Sequence, residues 1–443
     1  QLGYTMIKIH QAQTLPTMLA GKDVLAQART GSGKTAAFGL ALLNGLAPAR
    51  FRVQALVLCP TRELAEQVTG ELRRLARAIA NIKILALYGG TPLGPQIGSL
   101  RSSPHIVVGT PGRILKHLTM QTLQLSNLRF LVLDEADRML DMGFDDELSA
   151  ILRFVPTARQ TLLFSATYPD AIAAISASVQ HNPVSIDVTS DENPAPITQF
   201  WCATTRENRM SNLLRALRAW GGALNLVFCN TKNDCIEVAD YLQAQAIVAV
   251  ALHGDLEQTE RSQVLVRFAN RSASVLIATD VAARGLDVKD IDAVFNFELP
   301  KHAEVYVHRI GRTARAGKTG VAISLVEQRE EWRMQKIADH LPGVLLQKRK
   351  IPDVSQPAHA DDPLVPAMTT IQVSGGRKNK LRPGDLLGAL TAKGGVRGDT
   401  VGAIDLFDHH CFVAVSNVHV PAALRQLVNH PIKGRRYRAR VRK

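Results

Sequence analysis

The chain has 443 residues, 46% of them hydrophobic and 21% charged, which suits two or three packed domains and excludes a disordered polymer. Its longest apolar runs are too short to cross a bilayer, and its five cysteines are scattered without a Cys-x-x-Cys pair. That pattern argues against a zinc site or disulfide framework and leads us to expect a reducing, cytoplasmic setting. The formal net charge of +14 is uneven: residues 369–443 hold 14 Lys and Arg against 4 Asp and Glu, a balance that points to a polyanionic partner.

From the N-terminal end, short apolar runs (DVLAQA, ALVLCP, KILALY, HIVVGT, FLVLDE, TLLFSA) alternate with amphipathic stretches such as RELAEQVTGELRRLARAI. Near-continuous apolar runs of this length are strands buried on both faces of a parallel sheet, so the order predicts an open α/β domain. The polar stretch 187–198, with two prolines, reads as a linker. The pattern restarts with ALNLVFCN, IVAVALHG, SVLIATD, AVFNFEL and GVAISLV, which predicts a second domain of the same kind. A segment with four prolines, 351–367, precedes a small basic domain whose predicted order is strand, helix, strand, strand, helix, strand. The expected divisions are 1–188, 197–345, a linker over 346–367, and 368–443.

Chemistry concentrates at the ends of these runs. ARTGSGKT follows the first predicted strand and opens a helix, the setting in which backbone N–H groups of Thr30, Gly31, Ser32 and Gly33 cradle phosphates. There Lys34 is expected to reach the β- and γ-phosphates and the Thr35 hydroxyl to hold Mg²⁺. Ala28 stands where the usual pattern has its first glycine. About a hundred residues on, FLVLDEAD ends an apolar strand in carboxylates, which are costly there without a cation or polar partner. Asp134 suits Mg²⁺ binding through water, and Glu135 suits positioning and deprotonating an attacking water. In the second domain HRIGRTARAG places Arg309, Arg312 and Arg315 within seven positions. They read as arginine fingers that make hydrolysis depend on closure of two domains.

These residues, together with PTRELAEQ, TPGR, SAT and ATDVAARGLD, occur in one order over about residues 1–340 and resemble the DEAD-box RNA helicases. The resemblance implies two tandem RecA-like parallel-sheet domains and ATP hydrolysis, stimulated by RNA and coupled to remodelling of short duplexes. It further implies that Gln11 reads the adenine edge and that Tyr4 packs near the base. Gly285 and Asp287 would reach the nucleotide from the second domain, and Ser165, Thr167 and His308 would couple ATP state to RNA strain. Arg62, Gly90, Thr110, Arg113, Arg261 and Thr279 would hold the RNA backbone without reading bases. The chain departs from the family in carrying Lys8 and Ile9 just before the glutamine.

The tail order βαββαβ resembles an RNA-recognition-motif domain, yet the strand that should alternate aromatics reads DHHCFVAV, with only Phe412. Recognition is therefore expected to lean on charge and shape through Arg377, Lys378, Lys380, Lys433, Arg435, Arg436, Arg438 and Arg440. A helicase core followed by GGRKNKLRPGDLLGALT resembles the bacterial DEAD-box protein A group. That implies a tail that binds a 23S ribosomal RNA hairpin in the peptidyl-transferase region, and a core acting in assembly of the large ribosomal subunit. A monomer is expected, with RNA as partner and no membrane, because no amphipathic apolar face accompanies the charge. Two alternatives stay open: a general RNA helicase with a nonspecific basic anchor, and a non-catalytic RNA clamp.

Overall fold

The computed structural model describes residues 9–27, 33–165, 167, 170–187, 197–283, 288, 291–314, 319–341, 346–353 and 362–442. They fall into two compact units, the described residues of 9–187 and those of 197–442.

The first unit is built on seven parallel strands: β1 (Val24–Gln27), β2 (Ala55–Leu58), β3 (Ile84–Leu87), β4 (Ile106–Gly109), β5 (Phe130–Leu133), β6 (Gln160–Ser165) and β7 (Val184–Asp187). Their order across the sheet is β3-β4-β2-β5-β6-β1-β7. Alternation along each strand feeds two cores, one per face. Val24, Ala55, Val57 and Val132 join Phe38, Leu64 and Val68 on one side. Leu25, Leu56, Leu58, Leu131 and Leu133 join Ile114, Met139 and Ile151 on the other. Burial on both faces is why these strands lack the apolar–polar alternation of a one-sided sheet. Crossover helices cover both sides, so every loop after a strand's C-terminal end emerges on one rim, where open α/β sheets bind ligands.

The second unit repeats this plan with β8 (Ile197–Thr204), β9 (Asn225–Cys229), β10 (Ala249–Leu252), β11 (Val275–Thr279), β12 (Ala293–Asn296), β13 (Gly320–Glu327) and β14 (Gln347–Lys348). The order β10-β11-β9-β12-β13-β8-β14 reproduces the first sheet strand for strand. Two of its members come from segments read as linker. β8 begins inside 187–198, and β14, within 346–367, pairs in parallel with β8. Beyond β14, Ile351 and Leu364 are buried in this domain's core.

The tail belongs to the same unit. Its four antiparallel strands, β15 (Met368–Val373), β16 (Val401–Leu406), β17 (Cys411–Ser416) and β18 (Ala439–Val441), lie in the order β16-β17-β15-β18. Helices Pro383–Thr391 and Val420–Asn429 cover one face through Leu386, Leu390, Ala423 and Leu427, packed on Ile371, Val373, Val413 and Val415. Two parallel seven-stranded sheets and a small α+β domain thus agree with the expected fold class. All five cysteines are free and buried. No described helix is long and apolar enough to cross a membrane.

Candidate nucleotide and RNA sites

β1 delivers the chain to the N-terminus of helix Lys34–Gly45. Its N-cap is Gly33 at φ 95°, a left-handed conformation that glycine adopts without Cβ strain. Gln11 Nε2 donates to the Gly33 carbonyl at 3.3 Å, which brings the expected adenine reader against the phosphate loop. Thr35 is half-buried and Lys34 is buried, with its Nζ 3.9 Å from Asp134 Oδ1. Two motifs a hundred residues apart thus meet because β5 and β1 flank β6 in the sheet.

Asp134 is 2% exposed, and its Oδ1 has no hydrogen-bond partner among the described residues. Burial pushes its carboxyl up from 3.8 to about 6, against the pull of Lys34 and with the help of the neighbouring Glu135. A buried carboxylate oxygen left without a donor is a place for a cation. Glu135 is also buried and sits at φ 55°, a left-handed conformation uncommon for a residue with a Cβ and characteristic of functional loops.

Asp137, the last acid of that run, was not singled out from sequence. Its Oδ2 accepts from both the backbone N–H and the hydroxyl of Thr167, each at 3.1 Å. Ser165 Oγ donates to the Thr167 carbonyl at 2.5 Å. The loops after β5 and β6 are therefore tied together by side chains of two separate motifs. The signal for Asp137 was its place three residues after Asp134.

The expected RNA contacts of the first domain cluster on the rim formed by β2, β3 and β4. Arg62 starts helix Arg62–Leu75, whose N-cap Thr61 accepts from Leu64 N–H at 3.2 Å. Gly90, at φ 77°, lies under the Arg62 guanidinium, and a Cβ there would fall 2.0 Å from Nη1. Thr110 caps helix Pro111–Thr119, from which Arg113 donates to the Thr91 carbonyl at 3.1 Å and to Gln96 Oε1 at 2.9 Å. Burial lowers the Arg113 pKa, and the Arg62 charge adds to that effect. Beneath them lies a supporting layer that motif reading missed. Gln96 donates to Tyr88 O and Thr91 Oγ1, while His117 bridges Gln96 and Thr122 at 2.9 and 2.8 Å.

In the second domain Arg261 donates to the carbonyls of His253 and Ala282, both at 3.4 Å, and Thr279 Oγ1 accepts from Ala282 N–H. Arg261 lies in the helix after β10 and Thr279 ends β11, the counterparts of β3 and β4, so both domains carry these groups at the same topological corner. His308 is half-buried in helix Ala303–Ile310, and Arg312 is 5% exposed.

Arg309 corrects the reading of all three arginines as fingers. It is 1% exposed and grips Asp280 with two nitrogens at 2.7 and 2.8 Å. It also donates to Asn296, Asn230 and the Glu298 carbonyl, and lies over the Phe228 ring at 5.0 Å. It is an internal strut of the second domain, and spacing within HRIGRTARAG could not separate it from its neighbours. Tyr4, Thr30, Gly31, Ser32, Gly285, Asp287 and Arg315 lie outside the described residues.

In the tail, Arg377 and Lys378 are exposed on a turn whose N–H groups donate to the carbonyls of Phe407 and Asp408. Lys433 is tied to Asp385 at 2.8 Å and to the carbonyl of Lys380, itself exposed, at 2.9 Å. Arg435, Arg436, Arg438 and Arg440 are exposed, and Arg440 donates to Gln372 Oε1 at 3.2 Å. Phe412 is fully buried, edge-on to Phe407 and His410, so its ring is not presented on an open platform.

Family comparisons agree with this arrangement. Residues 8–175 match the DEAD/DEAH box helicase family, residues 208–317 the helicase conserved C-terminal domain, and residues 370–441 the DbpA RNA binding domain. The chain is 51% identical over 444 residues to the ATP-dependent RNA helicase DbpA of Escherichia coli, covering 100% of this chain and 96% of that one. It is 46% identical to the ATP-dependent RNA helicase CshA of Listeria monocytogenes over 74% of this chain and 64% of that protein. Among solved structures, S. cerevisiae Dbp5 bound to RNA and ADP BeF3 superposes with a TM-score of 0.72 at 30% identity, covering 79% of this chain and 91% of that one. By these likenesses the chain belongs to the DEAD-box ATP-dependent RNA helicases, with a DbpA-type RNA-binding domain at its C-terminal end.

Proposed function

We propose that this helicase is directed by its tail to a hairpin of 23S ribosomal RNA and remodels neighbouring short duplexes during large-subunit assembly. The observation that carries this reading is the tail's match to the DbpA RNA binding domain, together with identity that runs through the whole chain. The core supplies the work. Lys34 neutralises the ATP phosphates, Glu135 orients and deprotonates the attacking water, and Arg312 and Arg315 stabilise charge on the transferred phosphoryl group. Mg²⁺, held by Thr35 and through water by Asp134, would neutralise phosphate charge, and Oδ1 of Asp134, which accepts no hydrogen bond among the described residues, fits that use.

Arg62, Gly90, Thr110, Arg113, Arg261 and Thr279 hold one RNA strand by its backbone, which leaves choice of target to the tail. Arg377, Lys378, Arg435, Arg436 and Arg438 meet phosphates there, with a salt-dependent affinity. The deciding experiment is ATP hydrolysis at physiological salt with a 23S fragment containing the peptidyl-transferase hairpin, set against an unrelated RNA of equal length. Strong stimulation by the first alone is expected; equal stimulation by both would leave a general helicase with an electrostatic anchor.

A further inference from the structure

In a βαββαβ domain whose two helices cover one sheet face, the other face should meet solvent. Here it does not. On β15 the residues that alternate with the core positions Ile371 and Val373 are Thr370 and Gln372, opposite Ala414 and Phe412 of β17. Thr370 and Phe412 are fully buried and Ala414 is 1% exposed. What covers them comes from the second motor domain, at the end of helix Gln258–Ala269 and the turn after it. Ser272 Oγ shares a hydrogen bond of 2.7 Å with Thr370 Oγ1. Asp405, next to Phe412 on β16, is pushed up by burial, with Asn270 opposing the rise. The Arg267 pKa is lowered by burial and by the charge of Arg442 at the end of the tail. Thr370, Gln372 and Ala414 are small or polar and suit a protein turn, and the aromatic ring among them, Phe412, is fully buried and so offers bases no open platform.

We propose that this sheet face is the docking surface for residues 267–272 of the second motor domain while RNA is bound, and that RNA is held instead by the tail's outer turn and basic end. The tail then moves as one body with that domain. The inference rests on the reading that the tail binds the hairpin, and its test separates the two. Ser272→Cys combined with Thr370→Cys places two thiols where two hydroxyls now meet, and every native cysteine is buried. Treated with oxidised dithiothreitol without RNA, the double variant is expected to form the intramolecular disulfide. The oxidised protein is expected to keep hairpin affinity and RNA-stimulated ATPase within about twofold of its reduced form. Failure to crosslink, or a tenfold loss of affinity on oxidation that reduction restores, overturns the proposal. Equal affinity of the reduced protein for hairpin and unrelated RNA would instead overturn the targeting reading, while crosslinking still decides the docking.

Discussion

Thr167 gives both its backbone N–H and its hydroxyl to one carboxylate oxygen of Asp137, so a single acid ties the loop after β6 to the loop after β5. A hydroxyl hydrogen bond to a charged group contributes about 1.5–3 kcal/mol. Thr167→Ala is expected to leave ATP hydrolysis within about tenfold of the parent while duplex separation falls further, because the N–H bond alone keeps Asp137 in place. Thr167→Ser should restore separation. If both activities fell in parallel in Thr167→Ala, the pair would be a simple part of the hydrolytic site.

Asp134 gives the protein a pH dependence whose sign follows from burial. Its carboxyl holds a proton up to about pH 6 in the fold, against 3.8 in a free chain. The folded state therefore binds that proton more tightly, and stability from this group is full below about pH 4, falls as the pH rises to about 6 and is flat above. The cost at neutral pH is about 2–3 kcal/mol. In EDTA and without nucleotide, Asp134→Asn should melt above the parent at pH 7.5, with the gap closing towards pH 4. A gap that is the same at both pH values would refute this.

Glu135 is buried next to Asp134 in the chain, in a left-handed backbone position uncommon for a residue with a Cβ. Glu135→Gln keeps the shape and removes the base, so turnover should drop by about 10²–10⁴-fold with nucleotide and RNA binding retained. Single-turnover hydrolysis at the parental rate would take Glu135 out of the chemistry.

Gly90→Ala tests the first-domain RNA rim without touching the nucleotide. The new methyl would press on the Arg62 guanidinium, and the left-handed backbone would cost about 1–2 kcal/mol. RNA affinity, read by fluorescence anisotropy, should fall about tenfold, a loss of about 1.4 kcal/mol, while ATP affinity holds. Unchanged RNA binding would move the strand path away from Arg62.

Arg309→Lys should fail as a structural substitution, since a point charge cannot grip Asp280 at two atoms while also reaching Asn230 and Asn296. Breaking so buried a pair costs about 3–5 kcal/mol, visible as earlier urea unfolding of the second domain. Wild-type stability with a loss confined to hydrolysis would reinstate Arg309 as a finger.

In the two large domains the strands that sequence made legible are continuous apolar runs, most of them buried on both faces. β7, β8 and β14 escaped it for a common reason. β7 and β14 are sheet edges of four and two residues, and β8, beside β14, alternates exposed and buried side chains next to a proline-rich segment. The site divides in the same way. Lys34 and Asp134 stand in local motifs, whereas the Asp137–Thr167 tie and the Gln96–His117 layer are pairings across the fold that no spacing announces. Arg309 shows the converse, since three arginines in seven positions look alike until burial distinguishes them.

The two sheets share one strand order, so β8 stands in the second where β1 stands in the first. The exits from those strands differ. β1 leads into ARTGSGKT, whereas β8 runs through Thr205, Arg206, Glu207 and Asn208 into helix Arg209–Trp220, with no glycine in the turn. A duplicated framework thus carries singular chemistry. The expected stoichiometry is one ATP bound per chain, which equilibrium titration with a non-hydrolysable ATP analogue would check by its end point.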